Sequence, residues 1–133
     1  MTPEDLEGFK GKSIVGLTEK IILKGQKGQK ELIARIDTGA TKSSIDLSLA
    51  TRLELGPVVD SKIVKSAHGE KLRPVVRAEV LIAGKAIEAK FTLADRNKMK
   101  YQVLIGQNIL KKGFLVDPNV RFDAPTLKKE EKK

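Results

Sequence analysis

The sequence predicts an all-β protein: a closed barrel of short strands with one short helix near its C-terminal end and a second short helix in its first half. Two observations point there. Strand-like segments are short and mix apolar with polar residues, as in Glu31–Ile36 and the alternating Ala86–Leu93. Glycine turns punctuate them at Gly25-Gln26-Lys27-Gly28, at Gly69 and at Ala83-Gly84-Lys85. The chain of 133 residues suits one domain with one modest core, and is too short for two lobes. Hydrophobic residues make up 40% but aromatics only 4%, so that core must be built from Val, Ile, Leu and Ala.

Each element can be placed in order. Residues 1–12 form a polar lead-in, and 13–118 the barrel domain. Ser13 to Leu23 alternates and then runs apolar, a strand with a bulge at Gly16. Glu31 to Ile36 is the strand that delivers Asp37. Ser43 to Leu55 begins extended and turns helical, with Leu47, Ala50 and Leu53 on one face. Val58–Ser66 and Leu72–Ala83 flank Ala67-His68-Gly69-Glu70, a hairpin with glycine at its tip. A tight turn at Gly84 leads into the strand Ala86–Leu93. Tyr101–Ile105 is a short buried strand, Gln107–Lys112 a short helix, and Phe114–Val116 the last strand. Residues 119–133 are expected to form a charged, flexible tail.

Composition narrows the function classes. Without cysteine there are no disulfides, and a reducing cytoplasm is the simplest compartment. No apolar run is long enough to span a membrane, and Met1–Asp5 lacks the pattern of a signal peptide. The net charge of +9 invites a nucleic-acid reading. Against it, Lys and Arg are spread through every segment and stacking aromatics are scarce, so acidic or polyglutamate-like peptides suit the charge better. One His, no Cys and no His-Glu-x-x-His give no basis for a metal site. Gly11-Lys12-Ser13 imitates the end of a phosphate-binding loop, but Leu6 stands where its first glycine belongs. No cofactor is expected.

The most informative stretch is Ile33-Ala34-Arg35-Ile36-Asp37-Thr38-Gly39-Ala40-Thr41. Apolar residues lead straight into Asp-Thr-Gly, and a small residue follows. Such an aspartate sits rigidly at a strand end, though Asp-Thr-Gly also suits an ordinary turn. Downstream, Val103-Leu104-Ile105-Gly106-Gln107-Asn108-Ile109-Leu110 reads as a strand, a glycine and a helical turn. Taken together the two segments resemble the retropepsin-like aspartic proteases. The stretch Arg35–Ser44, with Arg73-Pro74-Val75-Val76, Asp95-Arg96-Asn97-Lys98-Met99 and Gly113–Pro118, is similar to a prokaryotic branch often labelled ATP-dependent zinc protease. The zinc and ATP of that label find no ligands or loop in this sequence.

The resemblance implies a peptide-hydrolysing site. Asp37 would be the catalytic residue. Thr38, Gly39 and Ala40 would support its loop, Thr38 bracing it against a second copy. Thr41 and the hairpin residues His68, Gly69 and Glu70 would meet substrate as a flap. Two carboxylates must share one proton, yet Asp-Thr-Gly occurs once. A homodimer supplies the second on its two-fold axis. Ala40 lacks the hydroxyl that some aspartic proteases place there, which favours activity extending towards neutral pH. Retropepsins often carry an ion pair at the positions held here by Thr41 and Gln107, and a neutral hydrogen bond could replace it. Three alternatives stay open: a peptide-binding module without turnover, a nucleic-acid-binding barrel, and hydrolysis of an unusual amide such as a γ-glutamyl tail.

Overall fold

A computed structural model describes residues 10–122. Nine strands and two short helices follow in the order β1 (Ser13–Val15), β2 (Thr18–Gly25), β3 (Gly28–Ile36), β4 (Ser43–Asp46), α1 (Leu47–Leu53), β5 (Val58–Ser66), β6 (Gly69–Ile82), β7 (Lys85–Ala94), β8 (Val103–Ile105), α2 (Gln107–Leu110) and β9 (Phe114–Val116). The main sheet runs β2-β3-β8-β4-β7-β6-β5, and a further pairing of β2 with β6 closes six strands into a barrel. The all-β barrel is therefore the fold, with both short helices in place.

Closure depends on the length of β6. Its first half pairs with β5, its second half with β7, and Glu79–Ile82 pairs with β2 as well. Alternation puts Val76, Ala78, Val80 and Ile82 of β6 inside, facing Ala89, Phe91 and Leu93 of β7 and Ile21 and Leu23 of β2. Aliphatic side chains fill most of the interior, with only Phe91 and Phe114 as aromatic members. The Ala83-Gly84 turn has positive φ at both residues (48° and 79°), the twist that suits a two-residue hairpin.

Three expectations are refined. The strand drawn from Ser13 to Leu23 is two strands, not one with a bulge. A Cβ on Gly16 would lie 2.1 Å from the Val120 carbonyl, because the chain after β9 crosses there. The Leu17 N–H donates to that same carbonyl at 2.8 Å, the Phe122 N–H donates to Thr18 Oγ1 at 2.7 Å, and that hydroxyl donates to the Phe122 carbonyl. The hydrogen-bonded body thus reaches Phe122, past the boundary at 118. The lead-in before Lys10 and the tail after Phe122 lie outside the described residues. In α1 the buried residues are Leu49, Ala50 and Leu53, while Leu47 is 48% exposed. Asp46 caps that helix, and its first residue is turned outwards.

β1 and β9 form a separate parallel pair, Ser13 opposite Phe114 and Val15 opposite Val116. No helix among the described residues is long and apolar enough to cross a membrane.

Candidate active site

Asp37 follows the last residue of β3, where Ile36 pairs with Ile105. Its N–H donates to the Ile105 carbonyl at 2.9 Å. Its Oδ1 accepts the Gly39 N–H at 2.9 Å, and its carbonyl accepts the Ala40 N–H at 3.2 Å. The carboxylate is half-buried, aimed by backbone rather than by neighbouring side chains. Thr38 and Gly39 are exposed at the tip of the loop.

The far side of this loop is bolted to α2. The Gln107 N–H donates to the Ala40 carbonyl at 2.8 Å, and the Asn108 N–H to the Thr41 carbonyl at 3.2 Å. Gln107 Nε2 donates to the Thr38 carbonyl at 2.7 Å. A neutral hydrogen bond does stand at the ion-pair position, but it ends on the Thr38 backbone and not on the Thr41 side chain. Buried Ser43 completes the clamp: its Oγ accepts the Gly106 N–H at 2.9 Å and donates to Asn108 Oδ1 at 2.6 Å. Contact is so close that a Cβ on Gly106 would lie 2.2 Å from the Lys42 carbonyl and 2.8 Å from that of Ala40. The apolar-Gly signal downstream therefore marks the place where the loop and α2 touch through backbone.

Cross-strand neighbours share a face. Arg35, two residues before Asp37, pairs with Leu104; Leu104 pairs with Ser44, Ser44 with Thr92, and Thr92 with Val75. These five alternate with the buried Ile36, Val103, Ile105, Ile45, Phe91 and Val76, so they face outwards. They make one transverse row running from beside Asp37 to the root of the β5–β6 hairpin. Beyond it lies a cavity of about 290 Å³ lined by Lys42, Lys62, Lys90, Asp60, Ser61, Val75 and Thr92.

The hairpin leaves the barrel at the end of that row. β5 pairs only with β6, and Ser66 faces Gly69 across the two-residue tip Ala67-His68. His68, Gly69 and Glu70 are exposed, and Glu70 reaches Lys65 at 4.0 Å. Ile63 and Leu72, opposite one another, are 57% and 68% exposed. Thus Asp37 to Thr41 are brought together with Gly106 to Asn108, while His68 to Glu70 stand at the end of an outlying arm.

A buried group near the row had no role in the sequence reading. Asp46 Oδ2 accepts from Ser48 Oγ at 2.6 Å and from the Leu49 N–H at 3.4 Å, and Oδ1 accepts from the Arg96 N–H at 2.8 Å. Burial pushes the Asp46 carboxyl up, but these hydrogen bonds outweigh it and hold it below the ordinary carboxylate value. The Arg96 guanidinium donates through Nε to the Tyr101 carbonyl at 3.1 Å and through Nη1 to Ser44 Oγ at 3.3 Å. Burial lowers the Arg96 pKa; Asp46 raises it and Arg35 lowers it further.

A six-stranded barrel with one Asp-Thr-Gly loop pinned to a short C-terminal helix defines a retropepsin-like chain. Solved structures agree on the fold. A Legionella pneumophila protein of unknown function, Lpg0085, superposes with a TM-score of 0.56 at 20% identity, covering 83% of this chain and 96% of that one. The simian foamy virus protease gives 0.53 at 22% identity over 71% of this chain and 91% of its own. The EIAV protease, complexed with the inhibitor HBY-793, gives 0.54 at 19% identity over 71% of this chain and 84% of its own. The chain belongs to the RimB-like family, described as retropepsin-like aspartic endopeptidase RimB, whose profile matches residues 48–126. That span contains the hairpin, β8 and α2 and begins after the Asp37 loop.

Curated relatives carry a different name. A probable alpha-L-glutamate ligase of Shewanella pealeana is 38% identical over 66 residues, 49% of this chain and 14% of that protein. A probable alpha-L-glutamate ligase of Parasynechococcus marenigrum is 26% identical over 146 aligned positions, 90% of this chain and 31% of that protein. The chain spans at most about a third of the length of these relatives.

Proposed function

We propose that the chain is an aspartic endopeptidase that works as a homodimer, with Asp37 of each copy forming one catalytic pair on the two-fold axis. The observation that carries this reading is the Asp37 carboxylate, fixed by backbone bonds at a strand end on the outward face of the barrel. At such an axis like charges cannot both be ionised at close range, so the pair holds one proton. The ionised member takes a proton from a bound water as the water oxygen attacks the scissile carbonyl carbon. The protonated member gives its proton to the carbonyl oxygen, forming a gem-diol. One diol proton then returns to a carboxylate and a proton reaches the amide nitrogen. The C–N bond breaks to leave an acid and an amine. The exposed Thr38 of each copy would brace the other's loop, and the β5–β6 hairpin, with Thr41 below it, would close over the peptide.

The substrate favoured is a glutamate-rich chain, α- or γ-linked. Three lysines surround the cavity at the hairpin root, and the curated relatives are named for glutamate. Cleavage of α- and γ-linked glutamyl peptides by the purified protein, beside sedimentation analysis, tests the whole reading. Asp37→Asn should abolish turnover while leaving peptide binding. A monomer that digests peptides equally well with Asp37→Asn would end it. A peptide-binding module without turnover is the second reading. It is favoured by the unpaired outer edge of β5, which offers strand addition, and it predicts binding with no cleavage by either form.

A further inference from the structure

Backbone holds most of the Asp37 loop, but not its tip. The Ala40 and Thr41 carbonyls accept from the N–H groups of Gln107 and Asn108, bonds that do not depend on the side chains at those positions. Thr38 has no such support. It is exposed, and among the described residues its one hydrogen bond is the one its carbonyl accepts from Gln107 Nε2 at 2.7 Å. The Thr38 carbonyl and the Gly39 N–H belong to a single planar peptide unit, so what fixes one fixes the direction of the other. That Gly39 N–H is the donor to Asp37 Oδ1 at 2.9 Å. The side chain of α2 and the candidate catalytic carboxylate are therefore joined through one peptide group: Gln107 Nε2 to the Thr38 carbonyl, and the Gly39 N–H to Asp37. A bond accepted by a carbonyl also polarises its peptide unit and strengthens the bond that the N–H gives. The same donor thus aims the Gly39 N–H and sharpens its pull on the carboxylate.

We propose that Gln107 is a positioning residue for hydrolysis, acting on Asp37 through the Thr38–Gly39 peptide unit. The proposal rests on Asp37 as the reacting group. Gln107 touches neither the carboxylate nor substrate; it sets the group that does. Its amide is neutral, which separates two effects that a cation there would merge. A cation would hold the carbonyl and also favour the ionised form of the Asp37 pair by its charge, whereas the amide works by hydrogen bonding alone. Around the loop, charge comes from Arg35 on β3, Lys42 before β4, Asp46 and Arg96 further along the row, Lys90 on β7 and Lys111 after α2. Gln107 Nε2 bonds none of them. All of them remain when position 107 alone is changed, so a change in behaviour reports the amide.

Two substitutions test it, with peptide cleavage followed across pH. Gln107→Met keeps the length of the side chain and removes the donor. Its kcat should fall roughly tenfold with KM little changed, the cost of a reacting group held off its bearing. The weakened Gly39 bond favours the ionised carboxylate less, so the acid limb of kcat/KM should move to higher pH by roughly half a pH unit. Gln107→Arg restores a donor and adds a charge. It should recover most of kcat and move the acid limb the other way. Hydrogen exchange at the Gly39 amide gives a readout that needs no turnover: it should quicken about tenfold in Gln107→Met and return towards the natural rate in Gln107→Arg. Because Gln107 is exposed, thermal melting should shift little in either variant. Natural kcat and natural Gly39 exchange in Gln107→Met overturn the role and leave the endopeptidase reading standing. So does a loss of kcat that tracks a large fall in melting temperature while the acid limb stays in place, the mark of a merely structural contact. Turnover that survives Asp37→Asn overturns the endopeptidase reading instead, and this role with it.

Discussion

The two ends of the transverse row are built in opposite ways. At the Asp37 end, loop and helix touch through backbone and are tied by hydrogen bonds from Gln107, Asn108 and Ser43. At the hairpin end, β5 and residues 69–74 of β6 pair with each other as a ladder beyond the barrel and leave Ile63 and Leu72 in water. The first arrangement holds a carboxylate to a fixed bearing, which activating a water requires. The second leaves an arm whose position is set by few contacts, as suits a cover that must open. Glycine makes the contrast concrete. Gly106 is required by what surrounds it, while Gly69, at φ 110°, has nothing within 4 Å of where a Cβ would stand.

Substitution can break or sharpen that contrast. Gly106→Ala drives a methyl into two carbonyls and should cost about 4 kcal/mol or more, or prevent folding, as read by denaturant titration. Asp46→Ala removes a helix cap and strands buried donors, for about 3 kcal/mol at neutral pH. Its pH dependence has a definite sign. The Asp46 carboxyl is held below its ordinary value in the folded chain, so its stabilisation is complete above the unfolded pKa. That stabilisation is lost as pH falls through the folded value. The stability gap between the natural protein and Asp46→Ala should therefore shrink on acidification; a gap that widens would refute the assignment. Ser43→Ala unties Gly106 from Asn108 and should cost about 2 kcal/mol, with a drop in kcat as the loop loosens.

The hairpin should respond less. Gly69→Ala pays only for its backbone angle, about 1 kcal/mol. Leu72→Ser should change stability by less than about 0.5 kcal/mol, yet raise KM for peptide if the arm covers substrate. A large loss of stability there, or none at Gly106, would mean that the two ends had been assigned the wrong way round.

How much of this was legible in the sequence follows from the range of the interactions. Local signals were read well. The Asp37 loop, the switch from strand to helix at Asp46–Leu47 and the last strand Phe114–Val116 stand where periodicity and glycine put them; the hairpin is there too, but its tip is Ala67-His68, and Gly69 and Glu70 already pair with Ser66 and Lys65 as the start of β6. Contacts between distant residues were not. Gly16 reads as a bulge because nothing near it announces that Val120 will cross there. Leu47 fits the apolar stripe of α1, but the cap at Asp46 aims it outwards. Ser43 looks like any small polar residue until Gly106 and Asn108 close on it. Arg35 and Arg96, far apart in the chain, become neighbours only through the pairing of β3, β8 and β4.

The meeting of β1 with β9, and of Thr18 with Phe122, orders events during synthesis. The first strand of the described residues finds its partner in the last, and a bond spanning 104 positions cannot form until residue 122 has emerged. Completion of the fold must therefore wait for that long-range closure, although the barrel strands themselves pair among residues 18–105. A chain terminated after Lys112 would expose the edge of β1 and the Gly16–Thr18 backbone, a template for aggregation rather than a smaller stable barrel.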